Sequence, residues 1–277
     1  MPKPTIVIVH GSYHTPYIYA PFITLLQNAG YVVHCPQLPT ADLKYLVPDP
    51  SHPDFDYKPG TLQQPTQAED AAVIQSLLKT LIDYQKKEVL LIAHSSGGWT
   101  APESSVLSLQ KAARSKDDKQ GGIIGLFCIA AILAMPGSST TSNFGRKPPG
   151  TRDDEEVAVW FKLHKSNCTT VPEGVRWLFH DVPEEEAQRY QRMLTGCPFL
   201  MSEMTNADVY ERLPVAYAVT LRDRVLSVEY QEMVIKDVEE RGTKVERYDV
   251  EGGHEAFLSQ TQRCVDAVED FVRKLLA

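Results

Sequence analysis

Lysine and arginine are scarce in this chain and never gather into a block. They number 28 against 36 aspartates and glutamates, for a formal net charge of −8. That balance argues against nucleic acid and anionic membrane surfaces as partners. Cysteine is also sparse. The five residues, Cys35, Cys128, Cys168, Cys197 and Cys264, are odd in number and scattered, with no C-x-x-C pair. Neither a disulfide framework nor a cysteine-ligated zinc site follows, and a cytoplasmic protein is the expectation. Long apolar runs are missing too. The longest, Ile123–Met135, is interrupted by Gly125 and is too short to span a bilayer, so it suits a buried strand and its exit. Met1-Pro2-Lys3-Pro4 leads straight into the short run Thr5–Val9, which lacks the length of a signal-peptide core.

What is present is ample for one large core: 277 residues, 43% of them hydrophobic. Short β-branched runs alternate with helical periodicity. Strands are expected around Val7–Val9, Tyr31–Cys35, Val89–Ala93, Ile123–Leu133, Val215–Leu221 and Val245–Val250. Helices are expected at Tyr17–Ala29, from Thr66 to about Lys87, from the turn after Ala93 to about Arg114, at Val228–Arg241 and at Ala256–Leu276. Thr66 and Glu69 have the spacing of a capping box. The alternation predicts an α/β fold, a mostly parallel sheet covered by helices on both faces. Residues 36–65 are proline-rich and read as an irregular excursion. Residues 136–212 break the alternation with a Gly/Ser/Thr/Pro-rich approach, an acidic run at 153–156 and short aromatic-rich helical pieces. The predicted organisation is a core of residues 1–135 and 213–277 with a helical cap, 136–212, inserted between them.

The stretch Val89-Leu-Leu-Ile-Ala-His-Ser-Ser-Gly-Gly98 leaves a buried strand through small residues and enters a helix. Strand, small-x-Ser-x-Gly and helix is the pattern of a nucleophile elbow. The turn strains the serine backbone, so the residues two before and two after must be small. Ala93 and Gly97 hold those positions around Ser95. Taken alone, the same letters also describe a flexible serine turn. Pro102, beyond the first turn of the predicted helix, should kink it or shift its start.

A serine is a weak nucleophile unless a histidine takes its proton and a carboxylate orients that histidine. The chain order serine, acid, histidine selects His254, in Gly252-Gly253-His254 after the last strand. His164 and His180 fall in the predicted cap. The acid should follow the preceding strand, where Asp223 stands in Arg222-Asp223-Arg224. Glu229 is in reserve, although its place in a first helical turn needs no further explanation. Backbone N–H groups of Ser96 and of the loop His10-Gly11-Ser12-Tyr13-His14 are the oxyanion donors expected, with Ser12 ahead of Tyr13. A metal pair of His10 and His14 is discounted, because no carboxylate or further histidine accompanies them at ligand spacing.

With these segments in place, the chain resembles the α/β-hydrolase superfamily over nearly its whole length. Within it, the loop 10–14, the elbow 93–98, Leu178-Phe-His-Asp-Val-Pro-Glu-Glu185, Arg222-Asp-Arg224 and Gly252-Gly-His254 resemble the branch of methyl-salicylate and methyl-jasmonate esterases, hydroxynitrile lyases and their microbial relatives. The resemblance implies cofactor-free hydrolysis of a small-molecule ester. In the lyases a lysine follows the catalytic histidine and a threonine replaces the first-loop glycine. Glu255 and Gly11 stand there in this chain, which favours the esterase side. Lactone, thioester or carbon–carbon cleavage of a polyketide-like metabolite uses the same triad. Tyr13, His14, Trp160, Trp177 and Phe179 are the expected pocket walls. The sequence does not choose between monomer and homodimer.

Overall fold

The computed structural model describes residues 2–148, 160–206 and 209–277. Six parallel strands form its main sheet: β1 (Thr5–Val9), β2 (Val33–His34), β3 (Glu88–His94), β4 (Gly122–Ile129), β8 (Val215–Thr220) and β9 (Val245–Val250), in the order β2-β1-β3-β4-β8-β9. The order reverses at β1, so β1 and β3 lie side by side and their carboxyl ends open on one crevice, the usual ligand position of such sheets.

The inner strands β1, β3, β4 and β8 read as nearly continuous apolar runs because both faces are buried, whereas the edge strand β9 alternates in part. Successive residues feed two separate cores. Val7, Val9, Leu91, Ala93, Leu126 and Val219 face one side, where Ile74 and Leu78 of the helix Gln67–Lys79 and Val234 and Val238 of the helix Val228–Glu239 cover them. Ile6, Ile8, Leu90, Ile92, Phe127 and Ala218 face the other, under Phe22 and Leu26 of the helix Ala20–Asn28 and Val268 and Phe271 of the helix Thr261–Leu276. At ~1.5–3 kcal/mol for each large side chain fully buried, this packing fixes the strand ends that carry the site.

Element types agree with expectation, whereas several boundaries differ. The second strand shrinks to two residues. The helix after the elbow starts at Gly97 and stops at Ser104, not near Arg114; Pro102 lies inside it, and the Ser105 N–H closes the end on the Pro102 carbonyl at 3.0 Å. Separate short turns, Leu107–Leu109 and Lys111–Arg114, complete the run. The helix from Gln67 begins as expected, with the Glu69 carboxylate accepting the Thr66 N–H at 2.7 Å.

The segment between β4 and β8, expected to be a helical cap, is not purely helical. It contains a small antiparallel sheet of β5 (Lys162–Leu163), β6 (Cys168–Thr170) and β7 (Cys197–Pro198) beside the helices Thr140–Phe144 and Glu184–Gln191. The proline-rich excursion packs against it. Gln64 donates to the Ser166 carbonyl at 2.7 Å, and Leu46 and Val47 bury against Cys168. The acidic run 153–156 lies outside the described residues.

Candidate active site

Ser95 stands on the turn between β3 and the helix Gly97–Ser104, at φ +51°, in the left-handed region that side chains avoid. Its carbonyl accepts the N–H groups of Gly98 at 3.0 Å and Ile132 at 2.9 Å, which holds the bend. The small-residue demand is visible as space. A Cβ on Gly97 would lie 2.3 Å from the Val9 carbonyl oxygen, and one on Gly98 would lie 2.6 Å from that of Ile132.

The three residues selected by chain order converge. His254 Nε2 is 3.0 Å from Ser95 Oγ, and His254 Nδ1 donates to Asp223 Oδ2 at 2.8 Å. Asp223 follows β8, and its side chain is fully buried. Its Oδ1 accepts the N–H groups of Val225 (2.7 Å) and Leu226 (2.9 Å), while Oδ2 also accepts the Thr220 hydroxyl at 3.0 Å. Burial alone works against a charged His254 ring. The Asp223 charge and hydrogen bond, with a smaller contribution from the Glu255 charge, outweigh it and raise the His254 pKa above its ordinary value. Glu229 sits exposed in the first turn of its helix, where its own backbone N–H and the Ser227 hydroxyl hold its carboxyl pKa below the ordinary value.

The loop after β1 lies against the elbow, and Ser12 Oγ donates to Ser96 Oγ at 2.8 Å. Among the described residues no group takes the N–H of Ser12 or of Ser96. The Tyr13 N–H faces the sulfur of Cys197 instead. A crevice with about 610 Å³ of open space, continuous with solvent, lies over Ser95. Its walls include Tyr13, Phe144, Trp160, Phe161, Leu200 and Leu226. Trp160 meets Tyr13 and Phe144 edge-on, with ring centres 5.8 Å apart in each case.

Three expected pocket residues are placed elsewhere. His14 is 1% exposed and lies behind the loop. Phe179 is fully buried against His14 and Tyr190. Trp177 is half-buried under the Arg176 guanidinium. An aromatic residue in a cap lines a cavity only if its face of the element points inward, and composition does not carry that information.

The premise used against a metal site also fails. His10 turns away, donating from Nδ1 to the Gly11 carbonyl and accepting the Leu38 N–H on Nε2, and burial lowers its pKa to about 4. His14, however, is joined by His94 and Glu255, with ligand-type atoms all within 4.8 Å. Hydrogen bonds already use these atoms. His94 Nε2 lies 3.2 Å from the His254 carbonyl, which can only accept, so Nε2 carries the proton. Nδ1 then accepts from the Tyr19 hydroxyl at 2.7 Å. Burial pushes the His94 pKa far down, which keeps this ring neutral. A nitrogen that holds a proton does not ligate a metal, so the cluster fits a hydrogen-bonded network better than a metal centre.

Two further ties, one to the histidine loop and one to the elbow, carry no sequence signal of their kind. Asp181 Oδ2 accepts the Gly253 N–H and the Ser259 hydroxyl, both at 2.6 Å. Gln67 donates to the Ser96 carbonyl at 2.9 Å and accepts the Thr140 hydroxyl at 2.7 Å.

The sheet order, the strained serine and the converging histidine and aspartate describe one kind of protein, a doubly wound α/β fold with a nucleophile-type elbow. The chain belongs to the α/β-hydrolase family, which it matches over residues 6–267. It is 25% identical over 271 residues to the probable hydrolase R7 of Phoma sp., with 98% of each chain covered. Two solved structures share its fold. The pyrethroid hydrolase of Sphingobium faniae JZ-2 superposes with a TM-score of 0.70 at 19% identity, covering 98% of this chain and 97% of that one. Polyneuridine aldehyde esterase superposes with a TM-score of 0.68 at 16% identity, covering 97% and 99%. No helix among the described residues is long and apolar enough to cross a membrane.

Proposed function

We propose that the protein is a serine hydrolase that cleaves a carboxylic ester of a small to medium, largely apolar substrate. The observation that carries the reading is the unbroken chain Ser95 Oγ, His254 Nε2, His254 Nδ1, Asp223 Oδ2, at 3.0 and 2.8 Å. The family supports it, as do relatives whose names are those of hydrolases and an esterase.

In this mechanism Ser95 Oγ attacks the ester carbonyl while His254 Nε2 takes the hydroxyl proton. The carbonyl π electrons move to oxygen, and the N–H groups of Ser12 and Ser96 hold that oxyanion. Collapse breaks the bond to the alkoxy group, and His254 returns the proton to it as the alcohol leaves. Water, deprotonated by His254, then attacks the acyl-enzyme, and Ser95 leaves with the proton regained. Asp223 keeps the proton of the neutral ring on Nδ1, so that Nε2 is free to accept. Residues 136–212 act as the cap over this centre, and its apolar walls at Phe144, Trp160 and Leu226 favour an apolar acyl or alcohol group.

The test is Ser95→Ala on p-nitrophenyl acetate, with intact mass spectrometry of the wild type after a fluorophosphonate. Loss of turnover in the variant, its fold intact by circular dichroism, and one adduct on Ser95 in the wild type are expected. Turnover retained by Ser95→Ala, or labelling elsewhere, refutes the reading. A panel of esters, lactones, thioesters and β-diketones then separates ester cleavage from the other reactions open to the same triad.

A further inference from the structure

Glu255 follows the proposed base directly, yet it is wholly buried and does not line the crevice. Its Oε1 lies 3.0 Å from His14 Nε2. The other nitrogen of that ring, Nδ1, is 2.6 Å from the Ser12 carbonyl, which can only accept, so Nδ1–H donates. One proton closes the Nε2 contact, held on the ring or on the carboxyl, and the bridge exists in both cases. The chain Glu255, His14, Ser12 therefore runs from the histidine loop to the loop carrying the proposed oxyanion donor, across 241 positions of sequence.

Both loops are otherwise irregular and held by polar contacts. The Gly11 N–H donates to the Tyr19 hydroxyl at 3.1 Å, and that hydroxyl donates to His94 Nδ1. His94 Nε2–H in turn holds the His254 carbonyl. The Gly11–Ser12 peptide, whose N–H is the proposed oxyanion donor, is thus held through the peptide groups on its two sides, by Tyr19 at the Gly11 N–H and by His14 at the Ser12 carbonyl. A wholly buried carboxylate is a costly element to keep for packing alone, the more so here, where Oε2 makes no hydrogen bond among the described residues and only lies 3.5 Å from His94 Nε2. We propose that Glu255 and His14 form a buried brace that sets the spacing between the oxyanion loop and the His254 loop, and that both act as positioning residues. The inference rests on the serine-hydrolase reading above.

A brace acts on the rate of each working site, whereas a residue needed only for folding acts on the number of working sites. Burst titration with a p-nitrophenyl ester counts sites, so kcat per titrated site separates the two. Glu255→Ala is expected to lower kcat per site on the order of 100-fold, the scale of an ångström of misplacement, with KM changed less than about threefold. Glu255→Gln still bridges to His14 and is expected to recover to within about tenfold of wild type. Glu255→Met, which fills the space and makes no hydrogen bond, replaces the alanine variant if that variant does not fold. The wild type, labelled by fluorophosphonate at Ser95, is the reference; a wild type that is not labelled overturns the hydrolase reading and the brace together. With labelling intact, kcat per site within twofold of wild type in the alanine or methionine variant, or a glutamine variant no better than these, overturns the brace alone.

Discussion

Replacing Asp223 by asparagine tests the orientation of the base at almost constant shape. The carboxylate accepts four hydrogen bonds: from Val225 and Leu226 N–H on Oδ1, and from His254 Nδ1–H and the Thr220 hydroxyl on Oδ2. An amide has one accepting and one donating end, so it must choose. With its NH2 at the Oδ1 position it meets two backbone donors and strands both, at about 1–3 kcal/mol for each buried unpaired group. With its NH2 at the Oδ2 position it strands neither. The Thr220 hydroxyl turns to accept, and the imidazole moves its proton from Nδ1 to Nε2. The second arrangement wins by a few kcal/mol, and it disables the site, because Nε2 then presents a proton to Ser95 where a lone pair is required. The expected fall in kcat on p-nitrophenyl acetate is on the order of 10⁴-fold, or about 5.5 kcal/mol, the scale set by tautomer loss in serine-histidine-aspartate enzymes. The melting temperature should change little, since both backbone bonds to Val225 and Leu226 survive. Asp223→Ala, which strands those two groups, should melt well below Asp223→Asn. An asparagine variant within tenfold of wild-type kcat would show that Asp223 does not set the tautomer, and the argument for it as the third member would fail.

The pH dependence of kcat/KM should show an acid limb in which activity rises as His254 loses its proton. Since the pKa of that ring is raised, the midpoint should lie above the ~6.5 of a free imidazole; a midpoint below about 6 contradicts the electrostatics described. Gly97→Ala should destabilise by ~1–3 kcal/mol and abolish turnover, because its new Cβ falls 2.3 Å from the Val9 carbonyl oxygen. Gly145→Ala, with its nearest neighbour at 3.6 Å, should be neutral in a denaturant melt, and equal losses in the two variants would sink the steric account. Burial raises the carboxyl pKa of Asp70 to about 7 despite two hydrogen bonds from Thr40. Its folded pKa exceeds its unfolded one, so this contribution to stability is complete below about pH 4 and is lost as pH rises through 7, by roughly 4 kcal/mol. Asp70→Asn should flatten the melting temperature across that window, and an unchanged slope would refute the assignment.

The parts of the site legible in the sequence are those governed by local sterics. Ala93 and Gly97 flank Ser95 because backbone approaches there, and a two-residue offset expresses that demand directly. Chain order then selected His254 and Asp223 without any knowledge of distance. The pocket was harder. Phe179 and Phe161 look alike as letters, yet Phe179 is sealed in the interior while Phe161 lines the crevice. In the sequence His94 stands out only as a neighbour of the serine, and Glu255 only as a departure from the lyases' lysine. Their partners, Tyr19, His14 and the His254 carbonyl, lie tens to hundreds of positions away, with no periodicity linking them. The helix expected to reach Arg114 is the opposite case, since the apolar pattern continues while the helix ends at Ser104, where the Ser105 N–H bonds the Pro102 carbonyl.

This difference in legibility follows from what holds each piece in place. The elbow secures itself. A positive φ at Ser95 costs about 1–2 kcal/mol, and the two N–H bonds to its carbonyl, at roughly 1 kcal/mol each, offset it, one from Gly98 three residues on and one from Ile132 at the exit of the neighbouring strand. The oxyanion and histidine loops have no such local means. They carry no regular structure, and their mutual spacing rests on Tyr19, His14, His94, Glu255 and Asp181, all reaching across the sheet edge or in from the insertion. Hydrophobic packing positions the strand ends but tolerates small displacements at modest cost, whereas a hydrogen bond between buried groups fails over a fraction of an ångström. Substitutions in the polar set should therefore separate activity from stability more sharply than substitutions in either apolar core, where loss of packing removes both together.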